Sequence, residues 1–262
     1  LGNFTNWLIY LRDDYFTPRR DDFLIVLLLC LVKMVLMISA LLSGAVMLMN
    51  DEPVRWGMSL SWVEHPSFAP WDHVWLGGFF YFVGTYLDIF GQSYDSANLL
   101  VMLVSLLSVA GAYGLGKTLF ESRYAGFLAA LLTMGGYIHT WLSISLMPGI
   151  FVITLNVWAG YLILKGLKLN RHWLLLLGAM LLGFSTSFRY EQWLLAFAFD
   201  VALLALVVFR KIKLWEFFAS GALASWYVLA WLISSWMRFG SPFGFMQQTI
   251  EVTDQPDVHP FW

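Results

Sequence analysis

Long apolar runs, separated by short charged segments, organise this chain. A bilayer core about 30 Å thick needs roughly 20 helical residues to cross it. On that measure spans are predicted at 23–48, 96–117, 124–144, 149–165, 172–189, 192–209 and 214–236. The stretch 71–90 is also apolar, but it carries Trp71, Asp72, His73 and several glycines. It reads as an interfacial or re-entrant helix, with a full span as the competing reading. The predicted fold class is therefore an all-α polytopic membrane protein with about seven transmembrane helices. A first outer loop over 50–95 would hold the interfacial helix. Residues 1–236 form the transmembrane module, and 237–262 begin a large outer loop.

Composition sharpens this picture. The chain is 60% hydrophobic and 12% charged, with a mean hydropathy of +0.70. Soluble domains carry about 25% charged residues, so that class is excluded. The 14 Trp suit interfacial belts, and they suit sugar-stacking surfaces as well. Cys30 is the single cysteine, which excludes an internal disulfide or a Cys-based zinc site. A net charge of -2 with no basic block argues against a nucleic-acid partner. The start of the chain is polar and mixed in charge, with no cleavable signal. The chain is expected to begin and end inside a longer protein.

Basic residues set the expected orientation. With a cytoplasmic amino terminus, Arg12, Arg19, Arg20, Lys117, Arg123, Lys165, Lys168, Arg171, Arg210, Lys211 and Lys213 fall inside. Arg55, Arg189 and Arg238 fall outside, and Lys33 lies within the first span. Counting 71–90 as a span would split the bases between the two sides. The outer side then gathers acids, among them Asp51, Glu52, Glu64, Glu191 and Glu251. An acidic face of this kind holds a divalent cation or a polar acceptor; taken singly, most of these acids read as solvated loop residues. The expected location is a plasma or inner membrane in a prokaryote, or the endoplasmic reticulum in a eukaryote, with the site on the outer or lumenal face.

The most informative stretch is NDEPVRWGMSLSWVEHPSFAPW, from Asn50 to Trp71. Carboxylates where a membrane helix exits are costly unless water, a metal or a polar substrate meets them. Asp51-Glu52 reads either as a general base for an acceptor hydroxyl or as helix-end charge in the headgroup zone. Glu64-His65 offers an oxygen and an imidazole to Mg²⁺, Mn²⁺ or Zn²⁺; the alternative is a proline-containing turn. Arg189-Tyr190-Glu191 sits between two spans. There Arg189 either binds a lipid phosphate bidentately or pairs with Glu191 to fix the turn.

Other features read as structural. Asp200, inside a span, predicts a helix-packing hydrogen bond, and Lys33 predicts snorkelling. His139 predicts hydrogen bonding within the bundle. The run GAYGLGKT (111–118) matches a phosphate-loop pattern formally, but it ends a transmembrane helix. Its small residues serve close packing, with Lys117 as an interface anchor. Asn3-Phe4-Thr5 is a glycosylation sequon on the cytoplasmic side, and it is discounted.

Three patterns together resemble the amino-terminal module of the GT-C membrane glycosyltransferases, which include the protein O-mannosyltransferases and the lipid A aminoarabinose transferases. Asp51-Glu52 resembles the family's catalytic acid in the first outer loop. Glu64-His65-Pro66 with Trp71 resembles its acidic-or-His residue before Pro-Pro-Leu, although Ser67-Phe68 replace Pro-Leu. Arg189-Tyr190-Glu191 with Trp193, together with Phe239-Gly240-Ser241-Pro242-Phe243, resembles the turn that opens its large outer loop. The chain departs from some relatives in carrying no acid across 141–149, and the family's carboxyl-terminal spans are missing.

The resemblance implies a polyprenyl-phosphate sugar donor and a lipid, glycan or protein acceptor, with Asp51 as base and inversion at the sugar. It implies substrate contacts from Trp71, Tyr190 and Glu191, and a donor-phosphate contact from Arg189. A metal would bind at Glu64 and His65, with His259 or Glu251 as a further ligand. Two rival classes stay open on the residues alone: a non-catalytic scaffold subunit and a secondary transporter. The transporter reading is disfavoured because the ionisable residues cluster at one surface rather than at the midplane.

Overall fold

All regular structure is helical in this computed structural model, which describes residues 20–44, 51–67 and 75–246. The first helix, α1 (Arg20–Leu42), is followed by α2 (Asp51–Glu64) and α3 (Gly78–Phe90). Then come α4 (Tyr94–Phe120), α5 (Arg123–Gly135), α6 (Tyr137–Leu142) and α7 (Gly149–Leu169). The series closes with α8 (His172–Ser185), α9 (Glu191–Val208) and α10 (Leu214–Phe239).

Five of these, α1, α4, α7, α9 and α10, are long and apolar enough to cross a membrane. At 1.5 Å per residue, the 23 residues of α1 reach about 35 Å. Its apolar side chains stand largely outward, Phe23, Leu28 and Val35 among them. Outward apolar surface on this scale is stable against lipid and not against water. The chain is an integral membrane protein.

Two of the seven expected spans are built differently. The run 124–144 is interrupted at Gly136, which adopts an extended backbone (φ -63°, ψ 128°) between α5 and α6. The run 172–189 is helical for only 14 residues, and the polar Thr186 and Ser187 then form a turn. At 13 residues, α3 is too short to span. Its amino end is tied to the α8–α9 turn, where the Gly78 N–H donates to Ser187 O at 2.9 Å. Its carboxyl end leads straight into α4. Both ends of α3 therefore lie on the side of the bundle where α8 ends and α4 begins. The 237–262 loop is described as far as Met246, and α10 runs on to Phe239 before Gly240 turns the chain with φ +69°.

The bundle is laid out around α4, which packs on α1, α3, α5 and α7. Beyond α7 follow α8, then α10, then α9. Small residues set the spacing. A Cβ on Gly111 would stand 2.8 Å from Val157, and one on Gly116 would stand 2.7 Å from the Ala129 Cβ. The GAYGLGKT run is thus packing surface in the last turns of α4, as its position predicts. Lys117 departs from expectation. Rather than anchoring in the headgroups, it is buried and pairs with Asp22 at 2.7 Å. Tyr113 O–H donates to the same carboxylate at 2.6 Å, and Arg123 lies 3.3 Å from it.

Lys33 also departs from expectation. It does not snorkel but is fully buried, donating to Thr140 Oγ1 at 3.0 Å and to Met134 O at 3.3 Å. The break at Gly136 leaves the Met134 carbonyl at the end of α5, and in an apolar interior the Lys33 ammonium and Thr140 Oγ1 meet it. His139 and Asp200 match expectation: His139 bonds Ser108 at 2.6 Å, and Ser225 Oγ donates to Asp200 at 2.8 Å.

Charged groups gather at the two ends of the bundle. The Asp22–Lys117–Arg123 cluster joins the start of α1, the end of α4 and the start of α5 at one end. Lys168 reaches Thr118 O and Glu121 at the same end, where His172 of α8 also meets Glu216 of α10. Asp51, Arg55, Arg189 and Glu191 gather at the opposite end. Between them and the membrane interior lies an apolar cluster built from Phe79, Phe80 and Val83 of α3, Val101 of α4, and Phe151 and Ile150 of α7.

Candidate active site

The site begins with the face that α2 buries. Glu52, Arg55, Ser59 and Trp62 are buried, at intervals of three, four and three residues. That spacing is one stripe of an amphipathic helix. Asp51 and Glu52 open the helix, where carboxylates favour the amino-terminal dipole. Being adjacent, they project about 100° apart, and their surroundings differ accordingly. Glu52 is fully buried: Oε1 accepts from Leu146 N–H at 2.9 Å, and Oε2 from Tyr94 O–H at 3.5 Å. Asp51 keeps 33% of its side chain exposed and opens onto a cavity.

That cavity has a volume of about 340 Å³. Asp51 and Arg55 of α2 form one wall, with Trp75 and Leu76 beside them. Met147 and Pro148 contribute from the loop before α7, and Phe188, Arg189, Tyr190 and Glu191 come from the α8–α9 turn. Four predicted site residues, Asp51, Arg189, Tyr190 and Glu191, thus meet in one space although 138 positions separate the first from the second.

The charges in the cavity are held unequally. Arg189 makes a two-pronged contact with Glu191, Nη2 to Oε1 at 2.7 Å and Nε to Oε2 at 3.2 Å. This is the turn-fixing pair that the sequence offered as one reading, and Glu191 holds the guanidinium above its usual pKa. Arg55 sits deeper. Its Nη2 is 3.7 Å from Asp51 Oδ2, and its guanidinium lies 4.2 Å from the centre of the Trp75 ring. Burial pushes Arg55 down to about 10, with Asp51 opposing that shift and Arg189 adding to it. At neutral pH it remains a cation. Burial also raises the Tyr190 hydroxyl to about 12, so it stays neutral.

The outer loop after α10 returns to this place. Phe245 stacks on Tyr190 with centroids 5.5 Å apart and planes 2° apart, and it meets Trp193 edge-on at 5.8 Å. The Arg189-Tyr190-Glu191 segment and the loop opened by Phe239–Phe243 are therefore one packed unit. Next to it, between α3, α8 and α10, lies a second cavity of about 510 Å³. Its walls are aromatic, with Tyr81, Phe82, Phe184, Trp226 and Trp231 prominent, and Phe188 borders both cavities.

Glu64 and His65 are not brought to the polar cavity. They stand exposed at the far end of α2, about 20 Å along the axis from Asp51. Among the described residues, no three His, Cys, Asp or Glu side chains gather as a metal site. Trp71, His259 and Glu251 lie outside the described residues, as does the sequon at Asn3. Arg55 and Trp75 line the cavity but were not singled out in the sequence. The available signal was the four-residue step from Asp51 to Arg55, which puts both on one helix face.

No curated protein and no solved structure matches this chain. Residues 78–236, more than half of it, match the family profile described as dolichyl-phosphate-mannose-protein mannosyltransferase. That stretch takes in α3 to most of α10, hence the Arg189–Glu191 turn and the walls of the aromatic cavity, while Asp51, Arg55, Trp75 and Leu76 of the polar cavity precede it. This membrane protein is accordingly a glycosyltransferase of the GT-C type and belongs to the dolichyl-phosphate-mannose-protein mannosyltransferase family.

Proposed function

We propose that this protein transfers a sugar from a polyprenyl-phosphate donor to an acceptor hydroxyl at the outer or lumenal membrane surface, with inversion and with Asp51 as general base. The observation that carries this reading is the convergence of Asp51, Arg189, Tyr190 and Glu191 on one cavity beside a large aromatic one. A partly exposed carboxylate that shares a cavity with two guanidinium groups is what such a transfer needs. The cations hold a phosphate leaving group while the carboxylate receives a proton. The aromatic cavity suits the isoprenoid segment next to the phosphate, and the carbohydrate would occupy the polar space.

The chemistry balances with these groups. The acceptor hydroxyl gives its proton to Asp51 while its oxygen attacks the anomeric carbon from the face opposite the phosphate. The carbon–oxygen bond to phosphate breaks, and its electron pair leaves with the lipid phosphate, which gains one negative charge. Donors placed where that charge develops lower the barrier. The acceptor is a lipid, glycan or protein hydroxyl. The segregation of basic residues to the other end of the bundle supports a cytoplasmic amino terminus.

The test uses the full-length protein, purified and supplied with radiolabelled polyprenyl-phosphate hexoses and cell-derived acceptors. Transfer by the wild type that falls by about 100-fold or more in Asp51→Asn supports the reading. Transfer that persists in Asp51→Asn removes Asp51 as the base. No transfer from any donor by folded wild-type protein overturns the reading as a whole.

A further inference from the structure

We infer that Arg55 is the principal ligand of the donor's phosphate, and that it exchanges Asp51 for that phosphate when the donor arrives. The inference rests on the function proposed above and assigns the phosphate contact within it to a residue other than Arg189.

Three features of Arg55 carry it. First, the guanidinium is underused. Its side chain is 8% exposed, and its Nε is buried with no hydrogen-bond partner. Its Nη2 stands 3.7 Å from Asp51, beyond hydrogen-bond range. A buried guanidinium normally has its donors occupied, so this one is short of an acceptor. Second, it is prepositioned. The Trp75 ring lies 4.2 Å from the guanidinium carbon and the Phe79 ring 5.7 Å. Aromatic contact of this kind holds a cation while leaving its N–H groups available. Third, the rival cation is occupied. Arg189 already spends two N–H groups on Glu191 and is 45% exposed, so a phosphate there would have to displace a carboxylate or settle for the remaining donors.

A tetrahedral phosphate accepts two parallel N–H groups from a guanidinium fork. Arg55 would gain short bonds that the distant Asp51 carboxylate does not supply. Its movement toward the phosphate would leave Asp51 open to the acceptor hydroxyl. Donor binding would thus prepare the base, and the cation left on the phosphate would face the charge that appears as the sugar departs.

The experiment measures binding of polyprenyl phosphate without sugar to the detergent-solubilised full-length protein, with inorganic phosphate run in parallel. Arg55→Gln is expected to weaken lipid-phosphate binding by about tenfold or more. Arg55→Lys keeps the charge but loses the fork, and it is expected to fall in between. Asp51→Asn removes the competing anion, so it is expected to bind lipid phosphate several-fold more tightly than wild type even though it does not turn over. That gain should vanish in the Arg55→Lys, Asp51→Asn double variant. Should Arg55→Gln not fold, the Arg55→Lys and Asp51→Asn arms still decide the matter. Wild-type transfer together with unchanged lipid-phosphate binding in the Arg55 variants, or no gain in Asp51→Asn, overturns this inference and leaves the proposed function standing. Inorganic phosphate binding as tightly as the lipid overturns the donor assignment of the site. A wild type that neither binds polyprenyl phosphate nor transfers sugar removes both.

Discussion

Glu52 Oε1 accepts the backbone N–H of Leu146 at 2.9 Å, across 94 positions of sequence. This bond fastens α2 to the loop whose next two residues, Met147 and Pro148, line the polar cavity. Asp51 and Glu52 are thus neighbours in sequence with separate surroundings: one opens onto the cavity, and the other holds the cavity's opposite wall in place.

Removing the Glu52 side chain should therefore act on stability before chemistry. Glu52→Ala leaves a buried N–H unpaired, a loss of about 1–3 kcal/mol, and Glu52→Gln, which keeps a carbonyl oxygen, should lose less. Thermal unfolding of the purified protein is the check. A Glu52→Ala protein with the wild-type melting temperature would show that the bond contributes nothing.

Lys33 offers a sharper contrast between two substitutions. Lys33→Met removes a charge from the bundle interior and fills similar space. Met134 O retains Thr140 Oγ1 at 3.3 Å, so the loss should stay within about 1–2 kcal/mol. Lys33→Glu would set a carboxylate against a carbonyl oxygen in the same buried place. Its yield of monodisperse protein in size-exclusion chromatography should collapse. Equal yields from the two variants would contradict the buried contact.

The Asp22 carboxylate is shared by Lys117, Tyr113 and Arg123. Asp22→Ala strands a buried ammonium and should cost about 3–5 kcal/mol. Adding Lys117→Met should return a good part of that. Equilibrium unfolding in a double-mutant cycle measures the coupling. Strict additivity of the two changes would mean the pair is energetically idle.

Two glycines should respond in opposite directions. A Cβ on Gly183 would lie 2.1 Å from Leu223 O, in the contact between α8 and α10. Backbone cannot yield cheaply there, and Gly183→Ala should destabilise by about 1–3 kcal/mol. Gly57, within α2, has nothing within 4 Å of such a Cβ. Gly57→Ala should add about 0.5–1 kcal/mol, because alanine loses less conformational freedom on entering a helix. A Gly183→Ala melting temperature at or above the wild type would refute the packing described for Gly183, and a lowered one for Gly57→Ala would refute the open space at Gly57.

Much of the architecture was legible because lipid imposes one rule on the chain: backbone polar groups must be satisfied internally, so an apolar run becomes a helix. The spans at α1, α4, α7, α9 and α10 follow from it, as does the rejection of the phosphate-loop reading at Gly111–Thr118. The same rule misled at 124–144 and at Lys33. Hydropathy averages over a window and does not register that Gly136 breaks a helix. Nor does it show that a lysine on α1, 101 positions earlier, meets the Met134 carbonyl beside that break. At Lys117 the sequence displayed a helix-end cation but not the carboxylate of α1 that pairs with it.

Residue types at helix ends, read from sequence alone, singled out Asp51, Arg189, Tyr190 and Glu191, since charge in a membrane segment is retained only where something polar meets it. Which charges meet which was decided by tertiary structure. Packing turned Glu52 inward to Leu146 and left Asp51 on the cavity, tied Arg189 to Glu191, and set Arg55 under Trp75 with donors to spare. Those outcomes depend on distances between helices that touch only after folding, and local sequence carries no record of them.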